Sequence, residues 1–175
     1  MTRISVPLSV DGLGQAIREI EAYKLNLRQK TEQLAQLVAE RIRDEAQAGF
    51  SGALADDIIH APQLANVSVT VEGSGNLLVV LASGEDAVWV EFGAGVYYNG
   101  AVGQSPNPLV AQNGLPFTIG GYDKGHGRQN AWGWIDEESQ ELRISRGTPA
   151  TMPMYHAVQN VISIITDLAQ EVFSE

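Results

Sequence analysis

From Asp11 the apolar residues Leu13, Ile17, Ile20, Leu27, Leu34, Val38 and Ile42 recur in steps of three, four or seven, the recurrence of one helix face. Arg, Lys, Glu and Gln fill most of the other positions, so the pattern predicts a long amphipathic helix over 11–48, continuous or broken near Asn26, with Gly49 as its stop. Unbroken, at ~1.5 Å per residue, it would run on the order of 55 Å. That exceeds the width of a small domain. Such a helix either protrudes and packs on another subunit or folds back in two pieces on its own sheet.

Between Phe50 and Leu64 the chain holds Gly52, Asp56, Asp57, His60 and Pro62 without a sustained period, which reads as a connection with one helical turn. Strands follow over 66–93. Val67, Val69 and Val71 alternate with Ser68, Thr70 and Glu72, the run Gly73-Ser74-Gly75-Asn76 turns the chain, and Leu77 to Leu81 is continuously apolar. After a second turn at Ser83-Gly84-Glu85-Asp86, the β-branched and aromatic run Ala87 to Phe92 predicts a third strand.

Residues 93–133 carry ten of the eighteen glycines and three of the seven prolines without periodicity, so 94–130 reads as an extended Gly-rich loop. Short strands are expected over 131–145, at Ala131 to Ile135 and at Leu142 to Ile144, around the acidic turn Asp136-Glu137-Glu138. Met154, Val158, Val161, Ile165, Leu168 and Val172 then step by four and three, with Thr151 available as N-cap and Pro153 in the first turn, so a helix spans 151–173. The expected fold class is α+β in a single domain, 1–175. One antiparallel sheet, a three-stranded meander plus a short hairpin, is flanked by a long N-terminal helix and a C-terminal helix.

Composition narrows the class. With 44% hydrophobic and 18% charged residues the chain is globular in make-up, and no run approaches ~18 consecutive apolar residues, so no membrane span is expected. The residues after Met1 do not read as a secretory signal. Without cysteine there is neither a disulfide framework nor a thiolate metal site. Net charge is −10, and residues 44–123 carry nine acids and no base, which argues against a protein whose task is to neutralise phosphates.

Candidate chemistry is thin. His60, His126 and His156 are far apart, and Asp123-x-x-His126 offers two ligands where a closed metal site needs more. Gly93-Ala94-Gly95 starts like a dinucleotide fingerprint, but position 98 is Tyr and no helix opens behind it. Lys124-Gly125 is in the wrong order for a phosphate loop, and Gly73-Ser74-Gly75 is better explained as a hairpin turn than as a nucleophile elbow. Acid pairs such as Asp56-Asp57 and Glu85-Asp86 fall in turns, where solvated surface is the ordinary role. No catalytic residue, cofactor or metal is expected, and the chain does not read as an enzyme.

Two segments carry more. Val88-Trp89-Val90-Glu91-Phe92-Gly93-Ala94-Gly95 and Arg146 to Ala157, with its Gly147-Thr148-Pro149-Ala150-Thr151-Met152-Pro153-Met154 run, resemble the head-tail joining family of long-tailed bacteriophages, also described as tail-completion, neck or minor capsid proteins. Ala94 stands where threonine is commoner and Met154 where phenylalanine is. Gly121-Tyr122 through Trp132-Gly133-Trp134 looks like that family's variable loop, and the first 45 residues match only as a long polar helix. The resemblance implies a virion component, made in the bacterial cytoplasm, of which copies form a ring at the neck between the head's portal and connector and the tail. Its partners would be itself, the connector or head-completion proteins, and the tail terminator or tail tube protein. DNA would pass through the lumen without specific binding, with no membrane involved. The assembly candidates are then Trp89, Phe92, Gly93, Gly95, Tyr97, Tyr98, Tyr122, Trp132, Trp134, Pro149, Pro153 and Met154, with no catalytic residue to transfer. A tail terminator or other ring-forming tail protein is the alternative, and a small metal-dependent hydrolase using Asp123 and His126 a more distant one. The motif residues could equally serve the fold alone: Gly93 and Gly95 by allowing positive φ, Trp89 and Phe92 on opposite faces of a strand, and Pro149 and Pro153 by fixing the entry of the last helix.

Overall fold

A computed structural model describes residues 10–56, 58, 62–93, 108 and 132–174. Helix α1 (Val10–Ser51) is one element of 42 residues, about 63 Å long at ~1.5 Å per residue. It continues through Asn26 and Gly49. Side-chain pairs four apart line its exposed flank, among them Gln15 with Glu19, Arg28 with Glu32 at 2.9 Å and Arg41 with Glu45 at 3.0 Å, each adding a few tenths of a kcal/mol to an already good helix sequence. Gly49 is therefore not a stop. A Cβ there would lie 2.9 Å from the Pro153 ring, so this glycine serves the close approach of two helices, and the helix ends two residues later.

Among the described residues the connection after α1 holds extended pairing in place of the expected helical turn. Strand β1 (Leu54–Asp56) pairs antiparallel with β2 (Gln63–Leu64), and Ile58 bridges to Ser145. Strands β3 (Ser68–Ser74) and β4 (Leu77–Ser83) form the expected hairpin, in unbroken register from Ser68 opposite Ser83 to Ser74 opposite Leu77. Its two-residue turn uses Gly75 at φ 64°. The alternation places Val67 and Val69 inward, as the pattern predicts. Gln47 fixes this strand to α1: its Nε2 donates to the Val67 carbonyl at 3.0 Å, and its Oε1 accepts the Val69 N–H at 2.8 Å. One helix amide thus satisfies two groups on an open strand edge.

The expected third strand is a helix, α2 (Ala87–Phe92). Ala87, Val90 and Glu91 are its buried residues, a spacing of three and four that a strand's two-residue period would scatter over both faces. Strand propensity is overridden by tertiary bonding: the Val90 carbonyl accepts the Thr151 N–H at 3.0 Å and the Met152 N–H at 3.4 Å. The meander therefore stops at two strands, and among the described residues three two-stranded ladders stand in place of the single sheet.

The third ladder, β5 (Trp132–Ile135) with β6 (Leu142–Ser145), is the short hairpin expected over 131–145. The Asp136 carboxylate organises its turn, accepting the Glu138 N–H at 2.9 Å and the Ser139 N–H at 3.2 Å, with Arg143 at 3.3 Å. These two backbone bonds, that from Ser139 foremost, and then the guanidinium, hold the carboxyl below its ordinary value of 3.8. A depressed folded-state value means that its support is complete above pH 3.8 and is lost as pH falls through the lower folded value. Asp136→Asn is expected to lower the amide protection factors, intrinsic over observed exchange rate, of Glu138 and Ser139 at neutral pH. Unchanged protection would show that the turn holds without the carboxylate.

Helix α3 (Pro153–Ser174) runs antiparallel to α1. Pro153 meets Gly49 at one end, Asn160 donates to Glu45 at 3.0 Å, and the Lys30 ammonium donates to the Val172 carbonyl at 2.9 Å near the other. Pro153, Ala157 and Val161 are its buried residues, whereas Ile165 from the predicted stripe is exposed. The core gathers Ala46, Phe50, Ala53, Val67, Val69, Ala87, Val90 and Ala157 between α1, β3, α2 and α3. Small residues predominate because the helices approach closely.

Candidate functional site

Helix α2 and the start of α3 are locked together. Glu91 is 6% exposed, and its two carboxylate oxygens accept the Met154 N–H at 2.9 Å and the Tyr155 N–H at 3.1 Å. These are orphan donors of the first turn of α3, a turn with no acid of its own. A charge-assisted bond at a helix N-terminus is among the stronger hydrogen bonds a fold can make. The cap comes from Glu91, not from Thr151, whose own N–H is directed to the Val90 carbonyl.

The chain on either side is equally committed. Gly93 closes α2 at φ 82° with its N–H on the Trp89 carbonyl, in the left-handed region that favours glycine. Upstream of α3, the buried Thr148 hydroxyl donates to the Ala55 carbonyl, and the Gly147 N–H donates to the buried Ser145 hydroxyl at 2.9 Å. Met152 sits at φ 53° between Pro149 and Pro153.

The assembly candidates divide by position. Gly93 and Pro153 are buried, and Phe92, Pro149 and Met154 are half-buried, with Met154 packed against the core. Trp89 is 45% exposed, and in a helix it lies three residues from Phe92 on a neighbouring side, not on the opposite face. Trp132 and Trp134 belong to β5. Gly95, Tyr97, Tyr98 and Tyr122 lie outside the described residues, as do Asp123, His126, His60 and, Pro108 apart, the whole 94–130 loop. His156 is exposed, its ring edge-on to Tyr155 at 5.6 Å.

Sequence reasoning did not assign roles to Gln47, Glu91 and Thr148. The signal for Glu91 was a single carboxylate inside an apolar run, with an acid-free helix start downstream. Gln47 carried none, because a polar residue four positions from another is ordinary helix surface.

Besides Leu64 on β2, Val88 and Trp89 on α2 and the facing pair Ile135 and Leu142 of the β5–β6 hairpin, exposed apolar side chains gather on α1, β4 and α3 among the described residues. On α1 they are Leu13, Ile17, Ile20, Tyr23, Leu25 and Leu27; on the outer face of β4, Leu77, Val79 and Leu81; and on α3, Ile162, Ile165 and Phe173. The hairpin tip meets α1 at an open groove lined by Lys24, Leu27, Arg28, Glu32, Gly75 and Asn76. The hairpin tip thus reaches α1 between Lys24 and Glu32 and the end of α3 reaches Lys30; nearer the start of α1, Leu13, Ile17, Ile20 and Tyr23 are exposed while Ala16 is buried.

Among the described residues no three His, Asp or Glu side chains gather as metal ligands do, and no helix is long and apolar enough to cross a membrane. Comparison with known proteins finds nothing similar at a significant level: no family model matches the chain, and neither does a curated protein or a solved structure.

Proposed function

We propose that this chain is a structural virion protein of a tailed phage or prophage, forming a ring at the neck that joins the DNA-filled head to the tail. The observation that carries the reading is the Glu91 clamp. The two segments that resemble the head-tail joining family, 88–95 and 146–157, are more than fifty residues apart in sequence and bond to each other through Val90, Glu91, Thr151, Met154 and Tyr155. The two segments form one physical unit in the fold, which supports reading them together. It also explains what the motif residues do: Val90, Glu91, Gly93 and Pro153 serve the fold, while Val88 and Trp89 point outward.

In this reading the protein is not an enzyme and needs no cofactor. It is made in the bacterial cytoplasm and resides at the head-tail interface. Its partners are its own copies, the connector or head-completion proteins on one side, and the tail terminator or tube protein on the other. The acid-only stretch 44–123 contributes to a negative lumen past which DNA slides, since like charge prevents tight phosphate binding.

Light scattering with negative-stain imaging of the purified chain, alone and with connector or tail proteins, tests this. Rings, or monomers that form rings on the connector, are the expected result. Assembly on tail tubes alone would transfer the chain to the tail-terminator class, and a monomer indifferent to all of them would overturn the reading.

A further inference from the structure

The β3–β4 hairpin has two edges, and the chain engages only one of them. On the β3 edge the Gln47 amide accepts the Val69 N–H and donates to the Val67 carbonyl. That bond also fixes the direction of the backbone groups along the ladder. Val69 turns its N–H away from β4, so Val69 and the facing Ala82 form a pair without mutual hydrogen bonds, and in an antiparallel ladder such pairs alternate with bonded ones. Leu78, Val80 and Ala82 therefore direct their N–H and C=O groups outward from β4. Among the described residues β4 pairs with β3 alone, and these six groups meet no protein partner.

Such an edge is ordinarily protected by a charge, a proline or a bulge. Strand β4 has none: Leu77 to Ser83 is in unbroken register, and Leu77, Val79 and Leu81 are 76%, 54% and 44% exposed on its outer face.

We propose that β4 of a second copy adds to this edge, antiparallel about a two-fold axis at Val80, joining two hairpins in one four-stranded sheet. Three observations select this occupant. First, N–H and C=O groups in alternation along an edge are matched by an extended backbone and not by a helix or a polar surface. With the axis at Val80, that residue faces its own copy and Leu78 faces the second copy's Ala82, so all six outward groups of each chain find partners. An axis one residue either way leaves Leu78 or Ala82 facing a turn.

Second, the outer faces continue one another. Val79 lies against the second copy's Leu81 in the closer, non-bonded kind of pair, and the two short apolar rows merge across the seam.

Third, the charges match at the two ends. Strand β4 carries no charged residue in a chain of net charge −10, so two copies can approach there. The hairpin tip lies against Lys24 and Arg28 of α1, with Glu32 the acid beside them, whereas the chain just past Ser83 carries Glu85 and Asp86. Antiparallel pairing sets the acidic end of each copy beside the basic end of the other, twice by symmetry. The contact is isologous and closes on itself, so it links copies in pairs, leaves other surfaces free for a ring and does not depend on the neck reading. Its apolar row is smaller than the ~800 Å2 per partner of a standard specific interface, and the backbone bonds supply the rest, so the pair forms in a concentration-dependent manner.

The absence of cysteine makes the register directly readable. Val79→Cys and Leu81→Cys are prepared as two separate full-length proteins and mixed under mild oxidation. The mixture is expected to give a disulfide-linked species of twice the monomer mass, because residues of a non-bonded antiparallel pair have Cα atoms about 4.5 Å apart, within bridging range. Each protein alone is expected to cross-link several-fold more slowly, since like positions then lie on the ~7–8 Å diagonal. In sedimentation the native chain is expected to associate as concentration rises. Val79→Lys with Leu81→Lys is expected to associate about ten-fold more weakly with native circular dichroism, since both positions are exposed and the lysines would face each other across the seam. Lys24→Glu is expected to weaken association a few-fold, and adding Glu85→Lys to recover most of that loss.

A mixture that cross-links no faster than either cysteine protein alone overturns the proposal. So does a native chain that stays monomeric at every concentration, or a folded lysine variant that associates like the native chain. If the lysine variant loses its circular dichroism, the cysteine comparison decides. Rings that form without the cross-link would remove this pairing and leave the neck reading intact. Cross-linked pairs of a chain that ignores connector and tail proteins would keep the pairing and remove the neck reading.

Discussion

Replacing Glu91 with alanine is expected to destabilise the fold by about 2–4 kcal/mol, because a nearly fully buried carboxylate that holds two backbone N–H groups is lost and both donors are left without it. At this chain length each kcal/mol is worth roughly 2–4 °C in Tm, so the melting temperature should fall by on the order of 10 °C. Glu91→Gln keeps an acceptor oxygen but loses the charge and turns an NH2 group towards donors; about 1–3 kcal/mol is expected. Urea unfolding measures both. A loss below about 0.5 kcal/mol for the alanine variant would mean that the start of α3 holds without the clamp. Because the Glu91 carboxylate receives the Met154 and Tyr155 N–H groups directly, amide protection at these two residues should fall more than protection along α1.

Phe50→Ala is expected to be the larger loss, about 3–5 kcal/mol. Phe50 is fully buried at the last turn of α1, where that helix, the hairpin, α2 and α3 converge, and the cluster around it is built mainly of alanine and valine. Rigid small neighbours on four elements have little freedom to collapse into the space left, so the cavity component should be near the top of its range. The urea midpoint should drop with the slope unchanged. A loss below about 2 kcal/mol would show that the elements close around the vacancy. Both substitutions act on the fold alone, so whatever fraction remains folded should keep its association behaviour.

The elements with a long, clean period were legible. The seven apolar positions from Leu13 to Ile42 suffice to place α1, and the alternation at Val67, Val69 and Val71 with the Gly75-Asn76 turn places the β3–β4 hairpin. Short elements were not. Ala87 to Phe92 is a β-rich hexapeptide that becomes helix because the Val90 carbonyl and the Glu91 carboxylate find partners at residues 151–155, far away in sequence. Gly49 has the local character of a helix stop, yet its role is to admit Pro153, a contact that no local pattern encodes. The length of α1 was anticipated from periodicity alone, but which of its apolar positions are covered was not.

Sequence by itself determined an acidic α+β domain with a long helix at one end and an amphipathic one at the other, because period and turn chemistry are local properties of the chain. Only the tertiary structure decided that the strand-like motif is helical and that Glu91 caps α3. Only it separated the apolar stripe of α1 into a covered half and an exposed half. The physical reason is the same in each case. A backbone donor, a carboxylate and an apolar face each need a partner, and which partner arrives depends on residues brought near by the fold and not by the order of the chain.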